Sequence, residues 1–433
     1  MNESSAPVFS VRSLLRALGP AVIVASVVLG PGSILTNSKV GAAYGFSMIW
    51  VLALAAGLMM GMVALGARLG VVLDGTLCDE LAARLGRPFA AAAGLTVFLV
   101  CAGFQFGNNL GVLAAIDPWL NAGAGPTDAE SGSLLTASNL VLLALNTAII
   151  VFLFGLRKLY KPIERMMMIL VGTMILAFFG NLLFMLVAGG GARPDTVSEA
   201  ASAVKPTSTL PLVAVIGLIG TTFSVAGAFY QSYLVREKGW GLADLDRGLI
   251  DSVAGIAVLG TISLVIMATA ALSFHGGNVQ LDSVADVARQ LEPLFGPAAG
   301  VLFSLGVFAG AFSSFLVNAM IGGAMLADGL GLDAKMDSTA TRLLTTIALI
   351  VGMLVAIFVP SDDRVRLVVF AQAMVVVGFP LLAFSMLYLA TRPELTGRRA
   401  VPGWMKLVAA LGLLVVLASV GRLAWTLIEK IVG

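Results

Sequence analysis

Charge is what this sequence has least of for its length. Of 433 residues, only 12% are Asp, Glu, Lys or Arg, against 59% hydrophobic. A soluble domain carries roughly 25% charged residues. Half that share does not make a water-facing shell, so membrane lipid is the surrounding partner that fits. Histidine is down to one residue, His275, which excludes a histidine-based metal cluster. Cysteine is down to two, Cys78 and Cys101, and the two read as buried thiols rather than a disulfide. The net charge of +2 is too small to point to a nucleic-acid partner. No nucleophile–base pair marks an enzyme, and no cofactor is implied. Arg12 and Arg16 precede the first apolar run, with no cleavable signal peptide.

What the sequence does have is long apolar runs. A helix needs about 20 apolar residues to cross the hydrocarbon. Eleven such spans are predicted near 17–42, 46–70, 89–115, 138–156, 163–189, 210–235, 248–273, 297–327, 341–360, 364–391 and 404–428. With the N-terminus inside, eighteen of the 26 Lys and Arg residues fall in inner connections and eight in outer ones. That excess matches the positive-inside rule. The prediction is a multi-pass protein of a cytoplasmic (inner) membrane, N-terminus cytoplasmic and C-terminus extracytoplasmic.

Two spans carry helix-disrupting sequences. The first reads Val28-Leu29-Gly30-Pro31-Gly32-Ser33, and the sixth reads Thr221-Thr222-Phe223-Ser224-Val225-Ala226-Gly227. They open two five-span halves, 17–190 and 210–391, leaving span 11 outside the pair. Span 1 runs outward and span 6 inward, so the halves are inverted. Interrupted helices at matching positions of inverted halves point to a transporter binding site. The fold class expected is therefore an all-α, LeuT-type membrane transporter forming one domain over 1–433. Non-helical backbone is expected near 30–33 and 224–227.

These residues resemble the NRAMP divalent-metal transporters, which share the LeuT architecture. The resemblance runs through Leu18-Gly19-Pro20 and Gly30-Pro31-Gly32-Ser33 in span 1 and Gly66-Ala67-Arg68-Leu69-Gly70 in span 2. It continues through Ser273-Phe274-His275-Gly276, Leu291-Glu292-Pro293-Leu294-Phe295-Gly296 and Ser313-Ser314. In span 10 it takes in Ala371-Gln372-Ala373 and Phe379-Pro380. It implies substrate contacts at Gly30, Ser33, Thr221, Ser224, Gly227 and Gln372, with spans 1, 3, 6, 8 and 10 lining the path.

The substrate positions depart from the family. Its span 1 motif is Asp-Pro-Gly-Asn, and here the Asp and Asn positions hold Gly30 and Ser33. Its span 6 motif is Met-Pro-His, and here those positions hold Ser224, Val225 and Ala226. A second family histidine falls on Gln231, and the span 3 aspartate associated with proton movement falls on Asn109, beside Asn108. Asn108, Asn109 and Gln231 are the expected permeation-path residues. Only Gln372 matches a metal-contacting position of the family.

The chemistry left is that of hard neutral oxygens. Ser33, Ser224 and Gln372 suit Mg²⁺ or Ca²⁺ better than Mn²⁺ or Fe²⁺. A largely hydrated divalent cation is one reading. A small solute is the other: an amino acid, organic anion or neutral molecule, held by backbone N–H groups at the half-helix N-termini. A non-transporting receptor on the same fold is a third. Asn108 and Asn109 also fit a purely structural role as hydrogen-bond glue between helices. Tyr230 and Tyr233 read as inner-interface residues. Asp282, Asp286, Arg289 and Glu292 read as one face of a short amphipathic outer helix.

Overall fold

The structure, a computed structural model, describes residues 24, 29–120, 136–154, 157–188, 212–276, 281, 284–358 and 364–432. The first half of span 1 (Val24 excepted), the connections at 121–135 and 189–211, and Asp282 lie outside the described residues. Among the described residues, nine stretches are long and apolar enough to cross a membrane. One of them, Pro31–Val72, contains two helices, and Val171–Val187 is a further, shorter apolar helix. The eleven spans of the sequence reading are thereby accounted for.

Each span has a local cause. The described helix of span 1, Pro31–Tyr44, starts on a proline at its first position, whose missing N–H costs nothing there. It stops at Gly45, which adopts φ 58°. That left-handed value favours glycine, and a Cβ there would also meet His275 Cδ2 at 2.8 Å. The lone histidine is thus a packing element of this turn, its Nδ1 3.3 Å from the Ala42 carbonyl. Span 2 follows as Ile49–Val72. A short helix, Leu77–Leu85, is capped by Thr76, whose Oγ1 accepts from the Asp79 N–H at 3.0 Å. Span 3 is Arg87–Leu120, span 4 Ala137–Phe154 and span 5 Arg157–Ala188. Span 7 is Leu245–Phe274, span 8 Ala298–Gly329, span 9 Thr339–Ile357 and span 11 Gly403–Val432.

The interruption of span 6 is narrower than the sequence predicts, and span 1 is already helical at 31–33, where the sequence predicts non-helical backbone. Span 6 is Leu212–Thr222 and Val225–Glu237, so only Phe223 and Ser224 leave the helix. Span 1 is helical from Pro31, with the bend at Leu29–Gly30. Pro31 presets a helical φ and Ser224 caps the helix that follows it, so Pro31–Ser33 and Val225–Gly227 are helical rather than unwound. Span 10 carries an unforeseen interruption: Arg364–Val375 passes through a 3₁₀ turn, Val376–Gly378, before Phe379–Ala390. Pro380, near the start of that last helix, removes an N–H that a continuous helix would need. The outer connection over 284–295 is three short turns rather than one amphipathic helix, with Arg289 and Asp286 paired at 3.6 Å.

The molecule is apolar outside and polar within. Leu176 and Leu183 of span 5 and Leu414 of span 11 stand 71%, 63% and 61% exposed. Meanwhile Gln105, Asn109, Asn146, Gln231 and Asp251 are fully buried. Exposed apolar faces of that kind need lipid to cover them. This is a multi-pass membrane protein.

Glycine sets how closely the helices approach. A Cβ on Gly66 or Gly70 of span 2 would run into the carbonyl oxygens of Ala228 and Ser232 in span 6, and one on Gly41 into that of Met267 in span 7. Spans 3, 8 and 9 show the same pattern: Gly94 against the Met325 carbonyl, Gly329 against that of Ala90, and Gly352 against the backbone of Gln105. Small residues that let backbones touch are the usual device for membrane helix packing.

On the predicted inner side, arginines tie the ends together. Arg236 donates to the carbonyls of Leu73 and Asp74 at 2.9 and 2.8 Å. Arg68 donates to Ala400 O and to Arg398 O. Arg392 pairs with Glu80 at 2.6 Å. Arg399 bonds Asp74 at 2.5 Å and holds its carboxyl below the usual range. On the outer side, Gln290 joins the bundle: its Nε2 donates to Ser38 Oγ at 3.0 Å, and its carbonyl accepts from Asn181 Nδ2 at 2.8 Å.

Candidate functional site

The first interruption meets polar side chains of spans 3, 8 and 10, and the first half of span 6 ends against span 10. Gly30 is extended, with φ −93° and ψ −178°, and caps span 1 without a side chain. A Cβ built on it would lie 3.3 Å from Asn108 Oδ1 and 3.4 Å from Ser314 Oγ. A side chain at position 30 would therefore project between spans 3 and 8. The Gln372 amide sits between two further glycines: a Cβ on Gly32 would collide with it, and one on Gly107 would lie 3.2 Å from Nε2. Gly220 packs on the Gln372 carbonyl, which brings the end of the first half of span 6 to the same place.

Several oxygens here lack partners. Gln372 Oε1, Ser314 Oγ, Thr222 Oγ1 and Asn37 Oδ1 are buried with no hydrogen bond. Burying such groups unpaired costs roughly 1–3 kcal/mol each; the two amide oxygens can accept, and the two hydroxyls can accept or donate. Ser33 Oγ accepts from Asn37 Nδ2 at 3.3 Å. Thr221 is turned away, its hydroxyl donating to Leu218 O at 3.1 Å; its neighbour Thr222 has the open oxygen.

The half-helix N-termini are satisfied in part from within the chain. Pro31 has no N–H, and the Ser33 N–H donates to Gly30 O at 3.0 Å. At the second interruption, Ser224 Oγ accepts from the Gly227 N–H at 3.3 Å, and Ser224 O accepts from that of Ala228 at 3.1 Å. Ser224 is thus a helix cap, and Gly227 faces Val24 and Met59 rather than an opening. Replacing Ser224 by Ala should lower stability by about 1 kcal/mol, read as a lower midpoint in thermal unfolding of the detergent-solubilised protein.

The three path residues fall in different places. Asn108 lies against Gly30, its Nδ2 donating to Gln105 Oε1 at 3.2 Å. Asn109 faces span 4: its Oδ1 accepts from Asn146 Nδ2 at 2.8 Å, and its own Nδ2 donates to Gln105 O at 2.8 Å. Gln231 donates from Nε2 to Asp251 Oδ2 at 3.4 Å.

Sequence reasoning passed over Ser314, Asp251 and Asp328. The signal was present for the last two, because each is a carboxylate inside an apolar run. Asp328 accepts from Tyr233 Oη at 2.6 Å, so Tyr233 is a packed partner of the end of span 8. Cys78 and Cys101 are free and buried, and burial pushes the Cys78 thiol up. Among the described residues, no group of three or more His, Cys, Asp or Glu side chains is arranged to hold a metal ion.

A family model described as natural resistance-associated macrophage protein-like matches residues 21–426. The chain belongs to the NRAMP family. Among the family's proteins, the divalent metal cation transporter MntH of Deinococcus radiodurans is 29% identical over 436 residues, covering 96% of this chain and 91% of the relative. MntH of Burkholderia ambifaria is 25% identical, covering 96% and 90%. A mutant of the Eremococcus coleocola manganese transporter superposes with a TM-score of 0.72 at 16% identity, covering 96% of this chain and 87% of that one. Mhp1, a nucleobase-cation-symport-1 family transporter, superposes with a TM-score of 0.55 at 13% identity, covering 94% and 93%. At those identities the structures show the fold alone, and it is the LeuT-type fold. These relatives are transporters, not enzymes.

Proposed function

We propose that this protein moves a hydrated hard divalent cation, Mg²⁺ in preference to Mn²⁺ or Fe²⁺, across a bacterial inner membrane. The relatives carry divalent metal cations by name. The observation that carries the finer reading is the surroundings of Gly30. Where the family's carboxylate would project, this chain presents Asn108 Oδ1 and Ser314 Oγ, with Gln372 Oε1 unpartnered nearby. Neutral oxygens cannot offset the several kcal/mol needed to strip a divalent ion. They can accept hydrogen bonds from the waters it keeps, as Mg²⁺ does. The same acceptors disfavour an organic anion. In this reading Ser33, Ser224 and Gln372 are the hard-oxygen set of the two interruptions, and the halves 17–190 and 210–391 rock as inverted repeats about them.

Flux into proteoliposomes loaded with a Mg²⁺ indicator tests the proposal. Uptake should saturate at about 10⁻⁴–10⁻³ M, as weak oxygen sites do, and Mn²⁺ at micromolar levels should not compete. Micromolar Mn²⁺ uptake, or uptake of amino acids without Mg²⁺ uptake, would reject it.

Orientation is a separate part of the proposal. Single cysteines at positions 2 and 432, in a background lacking Cys78 and Cys101, should label from the cytoplasmic and outer sides respectively. Labelling of both from one side would reject the assigned topology.

A further inference from the structure

On the predicted inner side lies a cavity of about 920 Å³ that the pocket around Gly30 does not use. It opens among span 8, the connection after it, span 4, the end of span 6 and the connection between spans 2 and 3. Its volume falls in the range of sites that enclose drug-sized ligands. Its floor is apolar, built by Phe152, Leu153, Met320 and Met325. Its walls are charged, and the balance is one-sided: Asp79, Glu237, Asp328, Asp333 and Asp337 against Arg87 and Lys335. Arg87 is held in place, its Nη1 donating to the Asp328 carbonyl at 3.0 Å.

The carboxylates are not all rim groups. Asp328 is 5% exposed and lines the cavity at the end of span 8, fixed by Tyr233 Oη at 2.6 Å. A negative charge in a low-dielectric wall acts on a ligand more strongly than one in water. Methionines on the floor adapt to irregular apolar shapes. An inorganic cation would match the walls and leave the floor uncovered. A neutral apolar molecule would match the floor alone.

We propose that this cavity is a binding site for amphipathic organic cations, a flat apolar body on the methionine floor with an amidinium or ammonium head toward Asp328. The site is distinct from the pocket at Gly30, and its occupant need not be carried. Binding there would fill the space between spans 4 and 8 on the inner side.

The test uses an isosteric pair, 4-phenylbenzamidine and 4-phenylbenzamide, titrated by calorimetry into the full chain in lipid nanodiscs. The amidinium should bind at least about tenfold more tightly than the amide. Asp328→Asn should remove that preference while leaving the amide unchanged. Because Asp328→Asn touches Tyr233, a second variant avoids the interior. Leu332 is 49% exposed at the cavity mouth, and Leu332→Arg should weaken the amidinium alone. Met320→Trp should fill the floor and remove binding of both. Equal affinity for the two probes, or an amidinium preference that survives both Asp328→Asn and Leu332→Arg, would overturn the proposal.

Discussion

Replacing Gly30 by aspartate should give this protein measurable Mn²⁺ binding that the unaltered chain lacks. The backbone at position 30 needs no glycine, since φ −93° and ψ −178° are ordinary extended values. The new Cβ would lie 3.3 Å from Asn108 Oδ1 and 3.4 Å from Ser314 Oγ, close enough that both side chains must yield by a few tenths of an ångström. Both are flexible ends. Asn108 can turn its Nδ2, and Ser314 its hydroxyl, toward the carboxylate. The carboxylate supplies the charge that offsets desolvation of the ion. Calorimetry with MnCl₂ should show no heat for the unaltered protein below millimolar concentration and a gain of at least about tenfold in affinity for Gly30→Asp. Adding Ser224→Met tests the softer ligand, but it also removes the cap of the second half of span 6, so the double variant should unfold earlier than the single one. Micromolar Mn²⁺ binding by the unaltered protein would mean that its ligands lie elsewhere.

The second large effect separates a stability glycine from a transport glycine against the same residue, Gln372. A Cβ on Gly220 would run into the backbone carbonyl of Gln372, with Val376 at 3.0 Å. Backbone cannot step aside, so Gly220→Ala should cost about 1–3 kcal/mol by overpacking, seen as a lower unfolding midpoint. The nearest atoms to a Cβ on Gly32 belong to the Gln372 side chain, which can swing away where a backbone carbonyl cannot. Gly32→Ala should therefore keep the unfolding midpoint near that of the parent and cut uptake by about tenfold, because the amide leaves the pocket. Equal loss of stability in both variants would show that the Gln372 amide is a packing group and not a substrate contact.

The fold was legible where a physical rule leaves one choice. Eleven apolar runs and a one-sided distribution of arginine admit few alternatives, and the Gly-Pro and Ser-rich interruptions stood at matching places in the two halves. What sequence could not show was how short the interruption of span 6 is. Ser224 reads as an open ligand until its Oγ is seen accepting the Gly227 N–H. Thr221 and Thr222 are indistinguishable in sequence, yet only Thr222 has an unpartnered oxygen. The contact of Gly30 with Asn108 and Ser314 joins residues 78 and 284 positions apart along the chain, beyond any local pattern. Asn109, read as a path residue, is bonded to Asn146 of span 4. No periodicity distinguishes its direction from that of Asn108, one position earlier.

The glycine contacts divide the bundle into two bodies. Spans 1 and 7, and spans 2 and 6, meet backbone to backbone, as do spans 3, 8 and 9. Helices locked at that distance cannot slide past each other without opening a void, because packed interiors deform in steps rather than continuously. Between the two bodies, Gly30 looks onto the tips of Asn108 and Ser314. Side chains re-rotate where backbones cannot. Asn108 and Ser314 stand on that seam beside Gly30, so a displacement of one body against the other would change the spacing of these oxygens.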